Sequence, residues 1–285
     1  MTYNDLIEEG VSCLKEAGID DAKTDAAILL EHLTGMDRKG MLMHGFETPV
    51  PDGLKDKYRE LLIRRSSREP VQYITGMADF MGLRFQVNEN VLIPRFDTEF
   101  LVEELMRDVG DGASVLDMCT GSGCILLSLM SYKNGIRGAG ADISKAALEV
   151  AAENERTVFK ESAGRQIPVD WILSDMFEGI TGKYDYIVSN PPYIQSEVID
   201  TLMSEVKDHE PRIALDGDSD GLRYYRIIAG EAGKHLNRYG KIYLETGYDE
   251  AAAVGSLLKS SGFTGVTVKK DYSGNDRVVM GEYNV

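Results

Sequence analysis

Positive charge is scarce in this chain. Its 285 residues include 31 Lys and Arg against 47 Asp and Glu, a formal net charge of −16. That balance speaks against a broad electrostatic grip on nucleic acid or an anionic membrane. Cysteine is scarcer. Cys13, Cys119 and Cys124 form neither an even set nor a C-x-x-C pair. A disulfide framework is thereby excluded, and reduced thiols in a cytoplasmic protein are expected. The four histidines, His32, His44, His209 and His235, lie far apart in no metal-ligand motif, so no metal is expected. No apolar run approaches a membrane span. The acidic start, Met1 to Gly10, lacks the apolar stretch of a signal peptide. Internal repeats and low-complexity tracts are also missing. The apolar content is ordinary and allows a core without staples.

Three stretches differ in character. Residues 1–70 read as a small helical domain. Asn4 can cap a helix carrying Leu6, Ile7, Val11 and Leu14, which Gly18 ends. A second helix runs near Thr24 to Leu33 and stops at Gly35, and apolar turns follow around Met41-Leu42-Met43. Pro51-Asp52 opens a third through Tyr58, Leu61, Leu62 and Ile63. Arg59, Arg64, Arg65 and Arg68 on it read as a solvated face. Residues 71–96 read as a linker with a hairpin over Asp79 to Val87 that turns near Gly82. From 97 onward the pattern predicts an α/β domain with a mostly parallel sheet. Strands are placed near 114–118, 136–141, 169–173, 184–189 and 241–246, with helices near 123–132, 144–155, 219–237 and 248–261. Val266-Thr267-Val268 and Arg277 to Met280 enclose a turn-rich stretch too short for a helix, which predicts an antiparallel edge hairpin.

Proline is sparse too, yet two of the eight stand side by side in Asn190-Pro191-Pro192-Tyr193. This tetrapeptide follows the apolar strand Tyr184 to Ser189. The prolines end the ladder and stiffen the loop. One side-chain amide, Asn190, and one backbone carbonyl, Pro191, are thereby held at the carboxyl end of a strand, where open α/β sheets bind ligands. A fixed pair of oxygen acceptors suits a planar NH2 group, and Tyr193 can lie against its face. The plain alternative is a proline-capped turn.

A second candidate site follows the first strand of the α/β domain. Val115-Leu116-Asp117 leads through Met118 and Cys119 to Thr120-Gly121-Ser122-Gly123 and an apolar helix. The glycines admit close approach of a ligand, and the helix N-terminus offers free N–H groups. A cofactor carboxylate fits there, and Asp117 can accept from a cationic amino group. A dinucleotide fingerprint would want a third glycine where Leu126 stands, and no phosphate loop exists. Asp142 lies 19 residues after Gly123, the distance expected for an acid that holds ribose hydroxyls, while it can also cap the next helix. Asp175, followed by Met176, ends the third strand and can meet an adenine amine. Cys119 lacks a partner base and is read as a loop residue. Together these features indicate a methyltransferase that uses S-adenosylmethionine, whose sulfonium is already a strong electrophile. The protein then aligns the acceptor nitrogen.

The chain resembles the peptide chain release factor N5-glutamine methyltransferases (the PrmC/HemK family) over nearly its whole length. The resemblance runs through Pro70 to Gly76, Phe80 to Leu83, Leu92 to Arg95 with Asp97-Thr98-Glu99, and Val115 to Asp117. It continues through Thr120 to Gly123, Asp142 to Ser144, Ile187 to Ile194, Glu210-Pro211 with Ala214-Leu215, and Asp220 to Leu222 with Tyr225-Arg226. It implies that the acceptor is the glutamine of the Gly-Gly-Gln motif in bacterial class-1 release factors. It implies that residues 119–123, Asp142 and Asn190 contact the cofactor, and that Asn190, Pro191, Pro192 and Tyr193 hold the glutamine. It also implies that the N-terminal helical domain helps recognise that protein. Phe96, Cys119, Met176 and Thr246 depart from the family's usual proline, glycine, tryptophan and isoleucine. Glu245, at a strand end, is a further residue that can face the site. The runner-up is an adenine-N6 methyltransferase on DNA or RNA, which has the same acceptor chemistry; the acidic composition speaks against it.

Overall fold

The computed structural model describes residues 2–37, 39–40, 43, 49–161 and 168–284. Met41, Leu42 and His44 lie outside the described residues, and so do the apolar turns expected there. The chain forms two compact units: Met1–Met77 with Met203–His209, and Ala78–Leu202 with Glu210–Val285.

In the first unit, α1 (Tyr3–Glu16), α2 (Ala22–Thr34) and α3 (Leu54–Ser66) pack around Leu6, Leu14, Leu29, Leu30, Tyr58 and Leu62. The cap of α1 is Thr2, not Asn4. Its hydroxyl accepts from the Asp5 N–H, and the Asp5 carboxylate accepts from the Thr2 N–H, so two orphan donors are satisfied at once. Gly10 is required by packing: a Cβ there would lie 2.2 Å from the Tyr58 hydroxyl oxygen. That hydroxyl donates to the Ala26 carbonyl at 2.9 Å and ties α3 to α2. Arg65 departs from the expected solvated face. It is buried, donates to Asp25 at 2.6 Å, and pairs with Glu205 at 3.1 Å. Arg59 and Arg64 keep to exposed pairs with Glu9 and Glu69. Within 71–96 the sequence predicts only the hairpin, but α4 (Val71–Thr75) forms a short helix started by Pro70.

The hairpin of β1 (Met77–Phe80) and β2 (Leu83–Gln86) turns through Met81 and Gly82. Both have positive φ, as a tight two-residue hairpin turn requires. After α5 (Phe96–Asp108) come β3 (Ser114–Met118), α6 (Cys124–Tyr132), β4 (Arg137–Asp142), α7 (Lys145–Glu161), β5 (Asp170–Leu173) and β6 (Tyr184–Ser189). Then follow α8 (Arg223–Glu231), β7 (Leu236–Glu245), α9 (Ala251–Ser260), β8 (Phe263–Lys270) and β9 (Asp276–Tyr283). The seven strands β3 to β9 form one sheet in the order β5-β4-β3-β6-β7-β9-β8. The first five are parallel; β9 runs antiparallel to both β7 and β8, the expected edge hairpin. β7 starts earlier than expected, at Leu236, and α8 is correspondingly shorter. Apolar clusters cover both faces of the sheet. Leu126 and Leu129 of α6 belong to one, and Ile228 of α8 and Val254 of α9 to the other. The strand order reverses between β3 and β6. That leaves a crevice at their carboxyl ends, the position where such sheets bind ligands.

Candidate active site

Two loops leave the sheet at this reversal. The register pairs Met118 of β3 with Ser189 of β6, so Cys119 to Gly123 and Asn190 to Tyr193 start side by side. One cavity lies between them. Of the residues singled out in the sequence, Cys119, Thr120, Gly121, Ser122, Asp142, Asp175, Met176, Asn190 and Pro192 line it. Asp117, Gly123, Pro191 and Tyr193 stand behind or beside these walls and are not among its lining residues.

The first loop is built for close approach. Gly121 has φ of 54°, and a Cβ there would meet nothing within 4 Å, so its face is open. Gly123 starts α6 with φ of 78° and has no side chain to cap the helix start, a position that suits an anion. Asp142, at the end of β4, accepts from the Gly121 N–H through one oxygen and from the Ser144 N–H through the other, each at 2.9 Å. Ser144 itself caps α7 through the Ala147 N–H. Asp142 thus pins the loop to the helix start, and each oxygen retains a lone pair. Burial pushes its acid upward, opposed by the N–H groups of Ser144, Gly121 and Ile143.

Asp117 is fully buried beneath the loop. One oxygen accepts from the Thr120 hydroxyl at 2.7 Å, and the other has no partner among the described residues. Burial pushes its acid up to about 7. Cys119 is likewise held as a protonated thiol by burial, with the charge of Asp142 adding to the effect. Behind the loop, Asn154 of α7 is fully buried. Its amide nitrogen donates to Ser122 O at 2.9 Å and Gln86 O at 3.0 Å, and its oxygen accepts from the Gln86 N–H.

The second loop is braced from outside. The Ile194 N–H donates to Leu215 O and the Gly217 N–H to Ile194 O, which closes a short parallel bridge. A Cβ on Gly217 would come within 2.7 Å of the Tyr193 backbone, so only glycine lets the brace sit this close. The Asn190 amide nitrogen donates to Thr98 Oγ1 at 3.2 Å.

Several walls come from residues that the sequence did not assign to the site. Pro94, Arg95 and Thr98 come from the entry to α5, Ile213 and Ala214 from the segment before α8, and Tyr224 from α8. Arg95 is paired with Glu210, which is buried and also accepts from the Ile93 N–H at 3.3 Å. The Leu92-Ile93-Pro94-Arg95 and Glu210-Pro211 motifs therefore meet as one structure. Their distance in sequence hides this, and nothing local marks Tyr224 as a wall.

The residues present suit S-adenosylmethionine. The start of α6, uncapped by a side chain of Gly123, suits its carboxylate, and the Asp142 oxygens at the cavity wall suit ribose hydroxyls. Ile143, Ala147 and Met176 offer apolar surface for the adenine. Among the described residues no cluster of His, Cys, Asp and Glu could hold a metal, and no helix is long and apolar enough to cross a membrane.

Comparison with known proteins gives the family. Residues 5–76 match the PrmC N-terminal domain, and residues 95–209 match the methyltransferase small domain. The chain is 40% identical to the release factor glutamine methyltransferase of Caulobacter vibrioides, covering 95% of this chain and 93% of that one. With the protein of the same name from Agrobacterium fabrum it shares 38% identity, over 93% and 92% of the two chains. A crystal structure of a methyltransferase from Pyrococcus furiosus superposes with a TM-score of 0.52 at 17% identity, over 72% of this chain and 90% of that one. That likeness concerns the fold alone. Identity at this level over nearly the full length of both chains places the present chain in the release factor glutamine methyltransferase family.

Proposed function

We propose that the chain transfers the methyl group of S-adenosylmethionine to the side-chain amide nitrogen of the glutamine in the Gly-Gly-Gln motif of bacterial class-1 peptide chain release factors, in the cytoplasm. The observation that carries this reading is the meeting of the Thr120–Gly123 loop and Asn190-Pro191-Pro192-Tyr193 at one cavity, in a chain of this family. When bound, S-adenosylmethionine supplies an electrophilic methyl group on a sulfonium. Thr120 to Gly123, Asp142, Asp175 and Met176 would hold it. The Asn190 side-chain oxygen and the Pro191 carbonyl would accept the two amide hydrogens of the glutamine. An amide nitrogen is a poor nucleophile because its lone pair is delocalised into the carbonyl. Two acceptors fix its plane and draw density toward nitrogen. They bind more strongly as positive charge develops there, so they favour the transition state over the ground state. The N-terminal unit holds none of the residues assigned to the cofactor, and we assign it to recognition of the folded release factor.

The test is methyl transfer from labelled S-adenosylmethionine to three acceptors under the same conditions: purified release factor, its Gly-Gly-Glu variant, and DNA or RNA. Label is expected on the glutamine of the first alone. A carboxylate has no hydrogens to donate, and sites built for a hydrogen-bonding group reject analogues lacking it by up to about 10⁴–10⁵. Comparable labelling of the Glu variant overturns the amide clamp. Labelling of adenine instead overturns the acceptor assignment. In the enzyme, Asn190→Ala is expected to lower kcat by about 10²–10³.

A further inference from the structure

An asparagine serves the proposed clamp only when its oxygen, not its nitrogen, faces the acceptor. The two ends of the amide have nearly the same shape, so packing alone does not choose between them. Hydrogen bonding does, and three residues converge on this choice. The Asn190 nitrogen donates to Thr98 Oγ1 at 3.2 Å. Thr98 is 3% exposed and sits in the first turn of α5, where its N–H is tied to Arg95 O at 3.0 Å. Beyond Thr98 stands Glu245, the last residue of β7, which is buried and whose ionised form the Thr98 side chain favours. Its Oε2 has no partner among the described residues. The parallel register pairs Ser189 of β6 with Leu244 of β7, so Asn190 and Glu245 are the next positions on neighbouring strands.

We propose that Thr98 and Glu245 are positioning residues that fix which end of the Asn190 amide faces the acceptor, an inference that rests on the function proposed above. A threonine hydroxyl has one hydrogen to give and lone pairs to accept with. An ionised carboxylate only accepts. In its ionised form Glu245 takes the Thr98 hydrogen, and Thr98 is left to Asn190 as an acceptor. Only the NH2 end of Asn190 can meet it, and the oxygen is turned to the cavity. The order of donation runs one way, from Asn190 to Thr98 to Glu245. Nothing in the reaction passes along it; its product is an orientation.

Replacement of either member should release the amide without emptying the site. Thr98→Val keeps the shape and removes the acceptor. Glu245→Gln offers Thr98 an NH2 group, which frees the Thr98 hydrogen to point at Asn190 and favours the reversed amide. Each is expected to lower kcat by about 10²-fold, the size of a misplacement effect at a reacting group. S-adenosylmethionine affinity is expected to hold, and Thr98→Ser is expected to keep kcat near the wild-type value. The second readout needs no substrate. The Asn190 side-chain NH2 signals, identified by their disappearance in Asn190→Asp, are expected to exchange slowly with solvent in the wild-type protein and faster in Thr98→Val. Unchanged kcat in Thr98→Val, or unchanged exchange of that NH2, overturns the inference. If the wild-type chain leaves the release factor unmethylated, the proposed function fails, and the NH2 exchange still decides the relay on its own.

Discussion

At the scale of single residues, the site is held in conformations and charge states that side chains do not choose unaided. Cys119 has φ of 61°, in the left-handed region that favours glycine. For a residue with a Cβ this costs about 1–2 kcal/mol. Glycine would add about 0.5–1 kcal/mol of unfolded-chain freedom. Cys119→Gly is therefore expected to stabilise the protein by up to about 1 kcal/mol, read as a raised urea midpoint with an unchanged slope. Glu245 is the opposite kind of strain. Burial pushes it up to about 7. Thr98, Arg277 and Arg95 pull it down, and Asp97 pushes it further up. If the ionised form orients Asn190, kcat rises with pH through about 7, and the rise is flattened in Glu245→Gln. Stability runs the other way. A carboxyl whose folded value lies above its ordinary 4.5 binds its proton more tightly when folded. Its contribution is complete below 4.5 and is lost as the pH climbs through 7. Asp117, also pushed up to about 7, adds to the same slope. A thermal midpoint that falls over this range, less steeply in Glu245→Gln, is the expected result; a flat profile contradicts it.

Among elements, the loops owe their shape to side chains on neighbouring helices and strands. Asn154 of α7 is bonded both to the cofactor loop and to β2. Asn154→Ala leaves the Gln86 N–H and the Ser122 carbonyl short of a partner, each worth about 1–3 kcal/mol when buried. A clear loss of thermal stability and of S-adenosylmethionine affinity together is expected by calorimetry. Asp142→Ala should also lose both, because Asp142 pins the Gly121 and Ser144 N–H groups as well as facing the cavity. Loss of affinity with unchanged stability would mean that the pins contribute little. Much of this architecture was legible in the sequence. Strands β3 and β6 have the expected limits, because abrupt ends at Met118 and Ser189 are written in glycine and proline. The edge hairpin was legible because Asp271 to Asp276 leaves no room for a helix. What stayed hidden depended on partners far away in the chain. Thr2 displaced Asn4 as the cap because Asp5 reciprocates. Arg65 is buried because Asp25 and Glu205 await it. Thr98 drew notice only as part of a motif, and its bond to Asn190 spans 92 positions.

For the whole molecule, the two units differ in how the chain builds them. The second holds every residue assigned to the cofactor, and the first is assigned to the release factor. A fragment starting at Ala78, once shown to be folded, is expected to bind S-adenosylmethionine and to methylate release factor poorly; equal rates for fragment and full chain would remove the docking role. The fragment also carries Met203–His209, which belongs to the first unit. That excursion has a consequence for synthesis on the ribosome. When Met77 emerges, the helical unit is still missing its last piece, and the buried Arg65 has Asp25 but not Glu205. The unit made first is thus completed late, after β6, the fourth of the seven sheet strands in chain order, has been made. Its final stability is gated by elongation, and a stalled or truncated chain ending before Met203 carries an unfinished helical unit.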